Sequence, residues 1–181
     1  MADNPDDQRD RSQMDQSESK NSAAEDIQPC MSSENTTKQR KIAHVLSGSK
    51  YFILRTGKTL NSHEHFIIQL KNKIPRLQKV DTEKECDFIL VFCPVVSRAG
   101  TDIEAAMKKL YDTSATKPAV LVVLHHTFDP ECIVPDSSRA VNRENMITVD
   151  CLFYEDQGLL SCKKNYDVIN HIEMQMKPQV F

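Results

Sequence analysis

The sequence predicts an α/β fold with a doubly wound, mainly parallel sheet of four or five strands, flavodoxin-like or Rossmann-like, behind a disordered N-terminal tail. Two segments, residues 88–92 and 118–124, are apolar at every position, as expected of strands buried on both faces of a parallel sheet. Segments with helical spacing of apolar residues alternate with these runs. Such alternation indicates parallel strands joined by right-handed crossovers.

The first predicted strand and helix lie between residues 50 and 75. Residues 50–55 form a strand that the polar turn at residues 56–58 ends. Asn61 or Ser62 is expected to cap the next helix, in which apolar residues recur at helical spacing until Pro75.

The next part of the predicted sheet is less regular. Residues 77–80 predict at most a short edge strand, and residues 86–92 a buried strand that stops near Pro94, which cannot donate to a ladder. Only residues 81–85 separate the two, whereas parallel crossovers normally need a dozen residues or more. Either the second strand is vestigial, or the sheet departs from the flavodoxin-like order 2-1-3-4-5.

The remaining elements repeat the alternation of helix and strand. A helical pattern covers residues 102–110, and a strongly apolar strand follows at residues 118–124. A long connection, residues 125–145, leads to a strand at residues 146–153. The last helix is expected to place Tyr166, Val168, Ile169 and Ile172 on its apolar face.

The first forty residues differ in composition from the rest of the chain. They carry nine acidic and five basic side chains and no aromatic residue, so we interpret residues 1–40 as a disordered acidic tail and residues 41–181 as one α/β domain. The tail has a net charge of −4 within a total of −3, which leaves +1 for the domain. A near-neutral domain argues against a strong nucleic-acid footprint, and we interpret the basic residues of 71–79 as a solvated helix face.

Charge and cysteine distribution indicate the compartment. No apolar stretch approaches the roughly 20 residues that span a bilayer, and the acidic N-terminus is unlike a secretory signal. The six cysteines are scattered without a C-x-x-C pair, which disfavours zinc and disulfides. We therefore expect a cytoplasmic protein, with the nucleus as the alternative, and no membrane partner, metal or cofactor.

Three loops are expected to meet at the carboxyl ends of the strands, where the first and third strands part and where such sheets bind ligands. They are residues 56–58, 93–104 and 125–127. We predict here a site for a nucleotide or nucleoside-like ligand, or for a protein partner. Its predicted ligand-binding residues are Lys58, Ser97, Arg98, Gly100, Thr101, Asp102, His125 and His126.

The segment Gly100-Thr101-x-x-Glu104 supports two interpretations. A glycine and the start of a helix offer close backbone approach and unpaired N–H groups to a phosphate or hydroxyl. The same letters form a capping box, in which Thr101 accepts from the Glu104 amide and Glu104 folds back, contributing about 1 kcal/mol. We favour capping over catalysis, although a capping box can also line a binding site.

This segment resembles the Gly-Thr-x-x-Glu element of nucleoside deoxyribosyltransferases and related Rossmann-like N-glycosidases. In those enzymes the element begins a helix and its Glu attacks the anomeric carbon of the sugar. The resemblance implies that Glu104 is the catalytic nucleophile. The upstream aspartates of that family have no equivalent here, where Ser97 and Arg98 stand instead.

Over residues 50–172 the chain also resembles a group of small fish proteins. The shared segments are residues 86–106, 121–130 and 149–153. Some members are similar to products induced by virus infection or interferon, such as the grass carp reovirus-induced gene group. This resemblance implies a role in innate antiviral defence. It also suits an adaptor, because a similar doubly wound topology occurs in Toll/interleukin-receptor domains.

The histidines do not form a predicted metal site. His125 and His126 are adjacent on a strand and point to opposite faces, so we expect one to pack beneath a helix and the other to border the crevice. His63 and His65 are two positions apart on a helix and face different directions. A connection as long as residues 125–145 is uncommon in compact domains unless it is a lid, a binding loop or disordered.

The leading hypothesis is a cytosolic interaction or ligand-binding protein of interferon-linked antiviral defence, which binds through residues 93–104 and 125–129. The alternative is an N-glycosidase or nucleotide-processing enzyme with Glu104 as nucleophile and Arg98 or Lys58 holding a phosphate. A third idea is a structural partner that binds through its sheet edge. The sequence contains no Walker A, G-x-G-x-x-G or G-x-S-x-G motif, which disfavours common NTPases, dinucleotide-binding proteins and hydrolases.

Overall fold

The computed structural model describes Leu46 and residues 48–177; the predicted disordered tail lies outside these residues. Within them the chain forms six strands, three α-helices and one 3₁₀ turn. The strands are β1 (Lys50–Arg55), β2 (Gln78–Lys79), β3 (Phe88–Pro94), β4 (Ala119–His126), β5 (Met146–Tyr154) and β6 (Gly158–Leu159). The helices are α1 (Ser62–Lys73), α2 (Ala99–Thr113) and α3 (Lys163–Met176), and the 3₁₀ turn is Ser137–Ala140.

The strands form one sheet in the order β2-β1-β3-β4-β5-β6. All neighbours pair in parallel except β6, which is antiparallel to β5. The prediction of an α/β fold with a mainly parallel sheet is confirmed, with six strands where the sequence predicts four or five. The additional strand β6 has two residues, and its first, Gly158, has a φ of 69° that favours glycine. A strand this short leaves no periodicity in the sequence.

Apolar side chains cover both faces of the sheet. Along β4, Val120, Val122 and Leu124 belong to the cluster packed against α1 and α3, whereas Ala119, Leu121 and Val123 belong to the cluster packed against α2. This alternation explains why β3 and β4 are apolar at successive positions. The helices contribute Phe66 and Leu70 from α1, Ile103, Ala106 and Leu110 from α2, and Ile169, Ile172 and Met176 from α3.

The two-residue strand β2 accounts for the short connection to β3. It pairs in parallel with Lys50 and Tyr51, at the amino end of β1. β3 begins at the same level, since Phe88 is the partner of Tyr51. The chain therefore crosses beneath the start of β1 without returning along the length of the sheet, and residues 80–87 suffice for the crossing.

Main-chain hydrogen bonds alternate between the two sides of β1. On one side, the Tyr51 carbonyl accepts from the Val80 amide at 2.9 Å. On the other side, the Thr56 amide donates to the Phe92 carbonyl at 3.0 Å. Odd-numbered residues of β1 thus direct their N–H and C=O groups toward β2, and even-numbered residues direct theirs toward β3.

Because β2 ends at Lys79, the second half of β1 has no outer neighbour among the strands of residues 48–177. The main-chain groups of Ile53 and Arg55 face this side. We call this side of residues 52–55 the open edge. Unpaired edges are ready templates for another strand.

Asn165 joins α3 to β5 and to the residue after β6. Its Oδ1 accepts from the Leu152 amide, and its Nδ2 donates to the Leu152 and Leu160 carbonyls, each at 2.8 Å. The side chain is 1 % exposed. Tyr166, expected on the apolar face of this helix, is instead exposed, with the Lys73 ammonium 5.1 Å from its ring centre.

Replacing Asn165 with Asp keeps the shape and one acceptor but removes both donors and sets a carboxylate against two carbonyls. We expect the free energy of unfolding to fall by about 3 kcal/mol, measured by urea denaturation at pH 7. The same substitution at exposed Asn142 is the control, with an expected change of about 0.5 kcal/mol or less. Equal, small losses at the two positions would contradict the bridging role of Asn165.

Candidate functional site

A shallow cleft of about 700 Å³, wide open to solvent, lies at the carboxyl end of β1, along the open edge. We call it the β1 cleft. β1, the following loop and the start of α1 form most of its wall, and α2 contributes one side chain. The lining residues are Ile53, Arg55, Thr56, Gly57, Lys58, Thr59, Leu60, Asn61, His63 and Lys109.

The lining of the β1 cleft is cationic. Arg55, Lys58 and Lys109 belong to it, and no Asp or Glu does. The Lys109 ammonium donates to the Arg55 carbonyl at 2.8 Å, so α2 reaches across to the open edge. Cations of one sign in a concave surface favour an anionic ligand and raise its local concentration.

A turn with two left-handed residues connects β1 to α1 and lines the cleft. Leu60 and Asn61 have φ angles of 48° and 64°, in the left-handed region that residues other than glycine rarely adopt. Such conformations cost about 1–3 kcal/mol each and cluster at functional sites. Asn61 is the first flanking residue of α1 but its side chain makes no capping bond, contrary to one predicted alternative. The Ser62 hydroxyl instead donates back to the Thr59 carbonyl.

This turn brings Thr59 and His63 together. The Thr59 Oγ1 lies 2.5 Å from His63 Nδ1, and both side chains are buried. The imidazole also packs edge-on against Phe92, with 5.7 Å between ring centres. Burial, together with the positive charge of Arg55, lowers the pKa of His63. The β1 cleft therefore presents a neutral imidazole at pH 7.

The structure separates the predicted ligand-binding residues into three places. Lys58 lines the β1 cleft. A second group lies in the β3–α2 loop and the first turn of α2, and the two predicted histidines lie at the end of β4. Neither group lines the β1 cleft. The group in the β3–α2 loop and α2 consists of Ser97, Arg98, Gly100, Thr101 and Asp102, and the group on β4 consists of His125 and His126.

Asp102 organises the β3–α2 loop. Its Oδ2 accepts from the Val96 amide at 2.8 Å and from the Ser97 amide at 2.9 Å, and its Oδ1 accepts from the Ser97 hydroxyl at 3.1 Å. Burial opposes ionisation, but these hydrogen bonds outweigh it and hold the pKa of Asp102 below its usual value. Asp102 thus has a structural partner for each of its oxygens.

The predicted capping box is wrong. The N-cap of α2 is Arg98, which makes no side-chain capping bond, and the helix already includes Thr101 in its first turn. Thr101 therefore cannot act as the cap for Glu104. Glu104 is exposed on α2 and does not line the β1 cleft.

His125 takes part in a buried polar network. Its Nε2 lies 2.7 Å from Asp150 Oδ1, which also accepts from the Ser137 hydroxyl at 2.6 Å. The Ser137 amide donates to Asp150 Oδ2 at 3.0 Å. The serine contacts the carboxylate and not the imidazole, so this is not the arrangement of a nucleophilic triad. Burial disfavours the carboxylate, yet the bonds from His125 and Ser137 outweigh it and lower the pKa of Asp150.

The network fixes the long connection between β4 and β5 to the sheet, because Ser137 lies in that connection and Asp150 lies in β5. His126, on the opposite face, is exposed and packs against Phe153 and Tyr154, with ring centres 5.3 and 5.1 Å away. One histidine is thus buried and the other is at the surface, as their alternation on a strand predicts.

Other site types are not found in the part of the chain that the structure describes. Residues 48–177 contain no cluster of three or more His, Cys, Asp or Glu side chains suited to a metal ion. None of their helices combines the length and the apolar character needed to cross a membrane. The cysteines in this part are free thiols, and burial raises the pKa of Cys93 to about 11.

Comparisons of the chain with protein-family models, curated proteins and solved structures find no match. The functional assignment therefore rests on the chemistry of the site.

Replacing Ser137 with Ala removes one donor from the Asp150 carboxylate. We expect the free energy of unfolding at pH 7, measured by urea denaturation, to fall by about 2 kcal/mol. The control is Ser138→Ala, which removes only an exposed bond to Asp136, with an expected loss near 0.5 kcal/mol.

The effect of Ser137→Ala should depend on pH. Because the folded pKa of Asp150 is lowered, its stabilising contribution is present above the unfolded value of about 3.9 and is lost as pH falls through the folded value. The difference in the free energy of unfolding between wild type and Ser137→Ala should therefore narrow as the pH falls from about 3.9 toward the lower folded pKa of Asp150. A difference that is constant with pH would contradict a role through the ionised carboxylate.

Proposed function

We propose that this protein is a binding protein whose β1 cleft holds the anionic group of a ligand. The observation that carries the proposal is the charge of the lining, which contains Arg55, Lys58 and Lys109 and no Asp or Glu; the nearest carboxylate to it on α1 is that of exposed Glu64, 4.0 Å from His63 Nε2. The lining hydroxyls are already engaged, Thr59 with the His63 imidazole and Thr56 with the Phe92 carbonyl, so the cations are the groups that an anionic ligand would contact. Phosphate groups and carboxylates are both anionic hydrogen-bond acceptors, so the proposed ligand classes are nucleotides and acidic protein segments.

The position of the cleft supports the proposal. We propose a flavodoxin-like arrangement, and in such sheets ligands bind outside the carboxyl ends of the strands. The β1 cleft lies at the carboxyl end of β1, although along its outer edge. The resemblance to virus- and interferon-induced fish proteins adds a proposed cytosolic setting in innate antiviral defence.

An N-glycosidase with Glu104 as nucleophile remains the alternative proposal. The exposed position of Glu104, outside the β1 cleft, gives it no support. We expect no release of free base when the wild-type protein is incubated with nucleosides and dinucleotides and the products are separated by chromatography. Base release by the wild type that Glu104→Gln abolishes would establish the alternative instead.

The proposed function is tested by reversing one charge of the lining. Adenosine monophosphate and an acetylated hexapeptide of alternating Thr and Glu are the two probes, and thermal shift and titration calorimetry measure their binding. We expect at least one probe to stabilise the wild type, since occupancy raises the apparent stability. Lys109→Glu should weaken that binding roughly tenfold or more, and added salt should weaken it as well.

The matched control is Lys108→Glu, which makes the same change one residue away on α2, outside the β1 cleft. It should bind like the wild type. If neither probe stabilises the wild type, or if both variants lose binding equally, the proposed function is wrong.

A further inference from the structure

The inner wall of the β1 cleft is the edge of a strand. Ile53 and Arg55 line the cleft, and their main-chain groups face away from β3. β2 covers this side only as far as Tyr51. Main-chain N–H and C=O groups strongly prefer partners, and a row of them at a sheet edge pairs with an incoming extended chain. The Lys109 ammonium already supplies a partner to the Arg55 carbonyl.

Charge specifies the chemistry of that incoming chain. The cations Arg55, Lys58 and Lys109 surround the open edge without a carboxylate in the lining, and Lys79 ends the neighbouring strand β2. An extended segment with acidic side chains would complement these charges. A nucleotide phosphate would use the same cations but would leave the edge groups of Ile53 and Arg55 without strand partners.

We infer that the ligand of the β1 cleft is an extended acidic segment of a partner protein, which adds to the sheet as a strand along residues 52–55 of β1. The segment continues the line of β2 and ends against the Leu60–Asn61 turn. Its alternate main-chain groups pair with the N–H and C=O of Ile53 and with the N–H of Arg55, whose carbonyl keeps its bond to Lys109, and its carboxylates contact the surrounding cations. Main-chain pairing supplies affinity, and charge selects the sequence. This inference rests on the proposed function and names the partner of the same site.

Strand addition has a signature that charge alone does not produce. Along an added strand, every second N–H group faces the edge strand and the others face outward. Methylating the inward amides removes the donors and places methyl groups against β1. Methylating the outward amides changes neither the pairing nor the charge.

The experiment titrates the 181-residue chain into three fluorescent forms of the alternating Thr and Glu hexapeptide and follows anisotropy. One form is unmodified, one is N-methylated at odd positions, and one at even positions. We expect one methylated form to bind at least tenfold more weakly than the unmodified peptide. The other should retain its affinity within about twofold, because its methyl groups point to solvent. Lys109→Glu should weaken the binding of the unmodified peptide and of the methylated form that keeps its affinity, and Lys108→Glu should leave both affinities unchanged.

Three results would overturn the inference while leaving the proposed function intact. The first is equal binding of all three forms with the same dependence on Lys109, which means recognition of charge without pairing. The second is no peptide binding while adenosine monophosphate still stabilises the wild type and not Lys109→Glu. Equal loss in both methylated forms also overturns strand addition. If neither the peptides nor adenosine monophosphate binds, the proposed function fails as well.

Discussion

The connection between β2 and β3 constrains the outer edge of the sheet. Residues 80–87 must carry the chain from β2, past the start of β1, to a strand two positions away. Each residue added to β2 would move its end about 3.3 Å further from the start of β3. Parallel crossovers that run the full length of a sheet use a dozen residues or more. β2 therefore ends at Lys79, and the uncovered half of β1 becomes the wall along which the cations and the left-handed turn lie.

Sequence patterns predict the elements of this fold better than the identity of each buried residue. The apolar segments at residues 88–92 and 118–124 correspond to β3 and β4 because both faces of these strands are covered by helices. In α3 the helical period is present, but its first buried position is Asn165, which hydrogen-bonds to the main chain around β5 and β6. Because this buried position is polar, the hydrophobic pattern does not mark it as part of the buried face, and the sequence wrongly assigns the neighbouring Tyr166 to that face.

The site was predictable only in part, because tertiary contacts assemble it. The turn after β1 and its Lys58 follow from the strand–turn–helix pattern. Arg55 and Lys109 carry no local signal, since they meet only when α2 packs across the sheet. The predicted residues of the β3–α2 loop lie elsewhere because Asp102 folds back onto the Val96 and Ser97 amides. His125 is likewise withdrawn into the network with Asp150.

Native-state hydrogen exchange of individual amides tests most directly whether the second half of β1 has a free edge. In the unliganded protein, the Phe52 and Leu54 amides face β3 and should be strongly protected. The Ile53 and Arg55 amides face the open edge and should exchange orders of magnitude faster, at rates near those of unpaired amides. Equal protection of all four amides would contradict the open edge and with it the proposed binding mode.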